Sequence, residues 1–130
     1  MKIQLKGWKV KSLSFKMNDK PSRVSSKHSF KLSIGHSFSD DNDKEFGIGF
    51  IIIIKDAEFK ITLEMLFLFQ VDQTIDDRFK QSDFIKINAP AIAFPYVRTY
   101  ISNLTLQSGV DPIILPSVNF VKLNESRGED

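Results

Sequence analysis

A chain of 130 residues is long enough for one hydrophobic core and too short for two. With 42% hydrophobic and 26% charged residues it is neither a disordered chain nor a membrane protein, and the absence of cysteine excludes disulfides, thiolate metal sites and a cysteine nucleophile. The net charge of +2 conceals a gradient: residues 1–31 hold nine Lys/Arg against Asp19 alone, so they carry +8 and the rest of the chain −6, a prior for an anionic partner at one end. The longest apolar run, 47–54, falls far short of the ~20 residues of a bilayer helix, and residues 1–6 lack the apolar stretch of a secretory signal. A cytoplasmic protein without membrane insertion is expected.

Residues 3–17 read as a strand whose register changes midway. Trp8 and Val10 share one parity and Leu13, Phe15 and Met17 the other, which predicts a bulge near Lys11-Ser12. A polar loop with Pro21 follows, and then Phe30, Leu32, Ile34 and Phe38 alternate with Lys31, Ser33, Ser37 and Ser39, a strand with one dry face. Asp40-Asp41-Asn42-Asp43 turns the chain into 46–55, whose four consecutive isoleucines predict a strand covered on both sides. A fourth strand alternates from Ile61 to Val71, with Leu66 and Leu68 breaking its polar face. Strands joined by short turns predict an antiparallel sheet. One long helix cannot cover both of its apolar faces, so self-association is expected.

Residues 74–84 predict a short helix capped by Thr74, and Asn88 is expected to cap a longer one. Along the latter Phe94, Val97, Ile101 and Leu104 form a core-facing stripe, Pro95 predicts an irregular turn at Ala93-Phe94, and Gly109 marks the stop. Residues 110–123, with Pro112 and Pro116, are expected to be extended, and 124–130 a frayed tail beyond a single domain of residues 1–123. The fold class is therefore α+β: a four-stranded antiparallel sheet, a helix and an extended C-terminal segment.

No catalytic constellation is found, and no cofactor or metal site is expected. His28 and His36 lie some 26 Å apart if their strand is extended at ~3.3 Å per residue, too far to share an ion. The acidic turn has Phe46 where a calcium loop needs glycine, and Gly47-Ile48-Gly49 lacks the third glycine of a dinucleotide fingerprint, so it permits close packing or a bulge instead. Asp76, Asp77 and Asp83 read as helix-start carboxylates, since nothing nearby would separate their pKa values. Asn103-Leu104-Thr105 matches a glycosylation sequon but falls inside the predicted helix. Trp8 among Lys6, Lys9 and Lys11 has the composition of a nucleic-acid surface. Strand parity, however, sends Lys2 and Lys6 to one face and Lys9 and Lys11 to the other, as expected of lysines that guard a sheet edge.

The run Asn-Ala-Pro-Ala-Ile-Ala-Phe-Pro-Tyr-Val-Arg at 88–98 is followed by Ile101-Ser102-Asn103-Leu104, Ser108-Gly109, Pro112 and Leu115-Pro116-Ser117-Val118-Asn119-Phe120. Together with Leu13-Ser14-Phe15, this pattern resembles the SecB family of bacterial export chaperones. The resemblance implies a sheet backed by helix, protomers assembled as dimer and tetramer, and unfolded or preprotein polypeptide held in apolar grooves without ATP. Against that family's pattern the chain is slightly basic, and it runs only a short way past Phe120, without the second long helix and the tail that helps bind the SecA ATPase. These departures count against SecA docking. The polypeptide-binding residues expected are Val24, in the loop after strand one, and Val110, Ile113, Leu115, Val118 and Phe120, after the helix. For the latter five, packing on the core stays open as the other reading. Two alternatives to a general export chaperone also remain: a dedicated chaperone of the toxin-antitoxin kind, and a protein- or nucleic-acid-interaction module using the basic first third.

Overall fold

The structure, a computed structural model, describes residues 2–19 and 29–128, with side chains to Glu125; Val24 and His28 lie outside the described residues. Four strands, β1 (Ile3–Met17), β2 (Ser29–Phe38), β3 (Glu45–Lys55) and β4 (Phe59–Val71), form one antiparallel sheet in the order β1-β4-β3-β2. A short helix α1 (Asp77–Lys80), a π-helical turn (Phe84–Asn88), a long helix α2 (Ala89–Gln107) and a terminal helix α3 (Phe120–Gly128) follow.

The alternation of β4 is read out directly. Phe59, Ile61, Leu63, Met65, Phe67, Phe69 and Val71 are all buried, and the five from Ile61 to Phe69 pair with Ile54, Ile52, Phe50, Ile48 and Phe46 of β3, equally buried. Phe94, Val97 and Ile101 of α2 lie on this face, so the predicted stripe is the seam between helix and sheet. Phe50 joins the layers, its ring centroid 5.7 Å from Phe67, 5.9 Å from Phe94 and 6.5 Å from Phe120.

β1 carries two register shifts, one between Leu5 and Gly7 and one between Val10 and Ser12. The second is the predicted bulge; the first was not anticipated. Together they bring Ile3, Leu5, Trp8, Val10, Leu13, Phe15 and Met17 opposite the buried residues of β4, all on the helix side despite their mixed parity. The parity argument for the expected split of the lysines therefore does not carry across the first shift, where Lys6 itself falls. Gln4 pairs with Gln70 and Lys9 with Leu66, so residues of opposite parity face the same way, away from the helices.

Asp76, not Thr74, caps α1: its Oδ1 accepts the Phe79 N–H at 2.8 Å. Asn88 does not cap α2 with its side chain, because the chain is already helical through the π turn that precedes it. Helix α2 runs through Pro95, where an irregular turn was expected. Both Pro95 and Ala91, whose carbonyl loses its partner, are exposed, and water can satisfy that carbonyl. Its end is a Schellman motif, with Gly109 at φ +86°, Gly109 N–H donating to the Leu106 carbonyl and Val110 N–H to that of Thr105. Residues 111–119 run without helix or strand, but residues 120–123, also expected to be extended, and the expected frayed tail form a helix as far as Gly128. Asn119 starts that helix by accepting the Lys122 N–H at 3.1 Å.

Candidate functional site

The sequence-predicted polypeptide-binding segment is laced to α2 by three side chains at 3-4 spacing. Arg98 Nε donates to the Leu115 carbonyl at 3.0 Å, Ser102 Oγ to the Ile113 carbonyl at 2.7 Å, and Thr105 Oγ1 accepts the Ile113 N–H at 2.9 Å. Thr105 is fully buried and donates in turn to the Ile101 carbonyl at 2.8 Å, with that of Ser102 at 3.1 Å as the other acceptor in reach. An extended strand of chain has no partner ladder of its own, so these side chains satisfy the backbone groups that packing on the helix would otherwise leave dry. Within this lattice Ile113, Leu115 and Phe120 are buried in the core, Val110 and Val118 pack half-buried against it, and Ile114 between them is 75% exposed. The segment thus has an anchoring set and an outward residue.

Substituting Thr105 by valine keeps the volume and leaves the buried Ile113 N–H without an acceptor. The expected loss is about 1–3 kcal/mol of unfolding free energy, with a smaller loss for Thr105→Ser, measured by urea denaturation with an unchanged slope.

A second apolar surface was not foreseen. Trp8 and Met17 are 50% and 53% exposed on the helix side of β1, with Val10 and Leu13 between them also open. Ile92 and Tyr96 of α2 continue it, and the Tyr96 ring lies 4.3 Å from that of Trp8. Among the described strands β1 lies at the edge of the sheet, so this strip borders a backbone edge that none of them pairs with. The sequence signal was present in Ile3 and Leu5, whose parity differs from that of Trp8 and Val10 and so calls for the first bulge.

Among the described residues no helix covers the opposite face of the sheet. Its rows follow from the register: Ser37, Gly47, Leu68 and Gly7 are neighbours, then Gly35, Gly49, Leu66 and Lys9, and at the far end Lys55, Lys60 and Lys16. The glycines of β3 keep the face low, since a Cβ at Gly47 would collide with Ser37 Oγ and one at Gly49 would press on Leu66 at 3.3 Å. Lys11 reaches Glu64 at 3.4 Å on the same side.

Several other polar residues have local structural roles. Ser39 Oγ accepts the N–H groups of Asp41 and Asn42, which makes the acidic stretch a hydrogen-bonded turn. His36 sits on the helix side of β2 with Nε2 3.2 Å from the Ile85 carbonyl. Lys2 N–H donates to Asp72 and lowers that exposed carboxyl below its ordinary pKa. Among the described residues no cluster of His, Asp and Glu could hold a metal ion, and no helix is long and apolar enough to cross a membrane.

Comparison with known proteins gives the same outline. The family described as preprotein translocase subunit SecB matches residues 1–130. The chain is 28% identical over 127 residues to an uncharacterized protein of Methanocaldococcus jannaschii, covering 90% of this chain and 79% of that one. It is 29% identical over 122 residues to the protein-export protein SecB of Magnetococcus marinus, covering 88% and 76%. Among solved structures, the SecB-like chaperone Rv1957 of Mycobacterium tuberculosis, in complex with a ChAD peptide from the Rv1956 HigA1 antitoxin, aligns with a TM-score of 0.72 at 11% identity over 89% of this chain and 87% of that chain, a likeness of fold. With a four-stranded antiparallel sheet backed by helices, and a family match along its whole length, the chain belongs to the SecB family.

Proposed function

We propose that this chain is an ATP-independent chaperone that holds non-native polypeptide, acting in the cytoplasm as a homo-oligomer and catalysing no reaction. The observation that carries the reading is the apolar surface a SecB-family fold leaves open here, on β1 and α2 and again at Ile114 and Val121. Two surfaces suit two tasks. The strip from Trp8 to Met17 with Ile92 and Tyr96 lies beside an open sheet edge and suits a second copy of the chain. The segment after α2 suits clients: Ile114, Val110 and Val118 offer apolar contact, while Ile113, Leu115 and Phe120 hold the segment in place, and Val24 remains part of the proposed contact set.

A stoichiometric excess of the protein is expected to suppress aggregation of a chemically unfolded client without nucleotide. The effect should survive moderate salt, because apolar burial is not screened. Equal aggregation with and without the protein would sink the reading. A second reading, a chaperone dedicated to one client such as an antitoxin, is favoured by the likeness to a SecB-like fold solved with an antitoxin peptide. Suppression across a panel of unrelated unfolded clients decides for the general holdase, and suppression confined to one decides for the dedicated one.

A further inference from the structure

Every aromatic residue of the four strands outside the loop, from Trp8 and Phe15 on β1 to Phe67 and Phe69 on β4, pairs into the helix side of the sheet. The uncovered face has a different chemistry. It carries Lys9, Lys16, Lys31, Lys55 and Lys60 at register positions facing away from the helices, and Lys11 through its contact with Glu64. Its acids are Glu64, already engaged by Lys11, and Glu45, at the end of β3 opposite to Lys55. Between the lysines lie the aliphatic side chains of Ile51, Ile53, Leu66 and Leu68, with Ile51 and Leu68 well exposed.

Lys16, Lys60 and Lys55 stand directly opposite one another on three adjacent strands. Like charges in that arrangement weaken a sheet, and a facing negative charge removes the penalty. Among the described residues no carboxylate lies within 4.0 Å of any of the three. The nearby Asp56 is turned into its own hairpin, where Oδ2 accepts the Glu58 N–H at 3.0 Å.

We propose that this uncovered face docks an acidic polypeptide segment that also carries aliphatic residues, its carboxylates on the lysine row and its aliphatic side chains on Leu66, Leu68 and Ile51. Lysine ammonium groups bind carboxylate and phosphate alike as point charges. What separates the two partners is the rest of the face. Single-stranded nucleic acid is held by stacking on aromatic rings, and this face has none, whereas aliphatic residues beside lysines match a peptide of alternating acidic and aliphatic character. The surface is separate from both the client segment and the β1 strip, on the other side of the sheet, and goes beyond the holdase reading.

The test uses the full chain and a fluorescent peptide of about twenty residues built from Glu and Leu, with a Gln-for-Glu counterpart and an oligothymidylate of equal length as comparators. The acidic peptide is expected to bind at least about tenfold tighter than either comparator, and to weaken as salt is raised. The triple variant Lys16→Gln, Lys55→Gln, Lys60→Gln should lose at least about tenfold of that affinity, while Arg78→Gln with Lys122→Gln, which removes two positive charges away from this face, should keep it. Aggregation suppression by the triple variant should equal that of the wild type, which separates failure of this surface from failure of the holdase. Equal affinity for the Gln peptide, tighter binding of the oligothymidylate, or the same loss in both variants would each overturn the proposal.

Discussion

Replacing Phe50 by alanine is expected to lower the unfolding free energy by about 3–5 kcal/mol. The ring is 1% exposed and meets Phe67 on the neighbouring strand, Phe94 on α2 and Phe120 at the start of α3, so three elements would share one cavity. Close-packed surroundings relax only partly around such a hole, and each lining residue loses contacts it cannot recover elsewhere. Phe94 and Phe120 remain 5.7 Å apart in T-shaped contact, so the loss should stay below that of removing the layer altogether. Urea denaturation measures it: a lower midpoint with the slope retained is expected, and a midpoint within error of wild type would mean that the sheet and helices are not joined through this residue.

The second large effect falls on assembly. Charged residues at Val10 and Leu13, as in Val10→Glu with Leu13→Glu, place carboxylates in the strip proposed to meet a second copy. Both positions are more than a third exposed in the isolated chain, so the fold should be retained while association suffers. Burying an unpaired carboxylate is costly enough that the oligomer should weaken at least 100-fold, equivalent to about 2.7 kcal/mol. Analytical ultracentrifugation reads the outcome: a shift toward monomer with unchanged far-UV circular dichroism is expected. A control of Ser12→Glu with Ser14→Glu, on the opposite face of the same strand, should leave association nearly unchanged. A wild type that sediments as a monomer at micromolar concentration would remove the explanation for this exposed strip.

The sheet was legible because its periodicity is strong: the alternation of β4 and the isoleucine run of β3 leave few other structures open. The stripe Phe94, Val97, Ile101 and the stop at Gly109 were legible for the same local reasons. Helix α3 was not, since one core-facing pair, Phe120 and Leu123, is too short a run to establish a period, and the other cue was one residue, Asn119, whose side chain caps the first turn. The seam of Arg98, Ser102 and Thr105 escaped sequence reasoning because its partners lie 8 to 17 residues downstream and are backbone groups, which have no side-chain signature. Arg98 and Ser102 did enter through the family resemblance. The structure supplies their physical role, which is to hold the extended segment on α2.

The two bulges of β1 also bear on how a protein with so long an open edge stays out of the aggregates of the chains it is proposed to hold. A strand template recruits newcomers when its hydrogen-bonding groups repeat evenly over many residues. On β1 the ladder to β4 shifts after Leu5 and again after Val10, so the edge offers only short even stretches between the irregularities. An arbitrary flat strand that finds the edge can pair over part of it and must then break step, whereas a partner carrying matching irregularities can follow it for the full length. The edge therefore discriminates among newcomers by rhythm, before any side chain is compared.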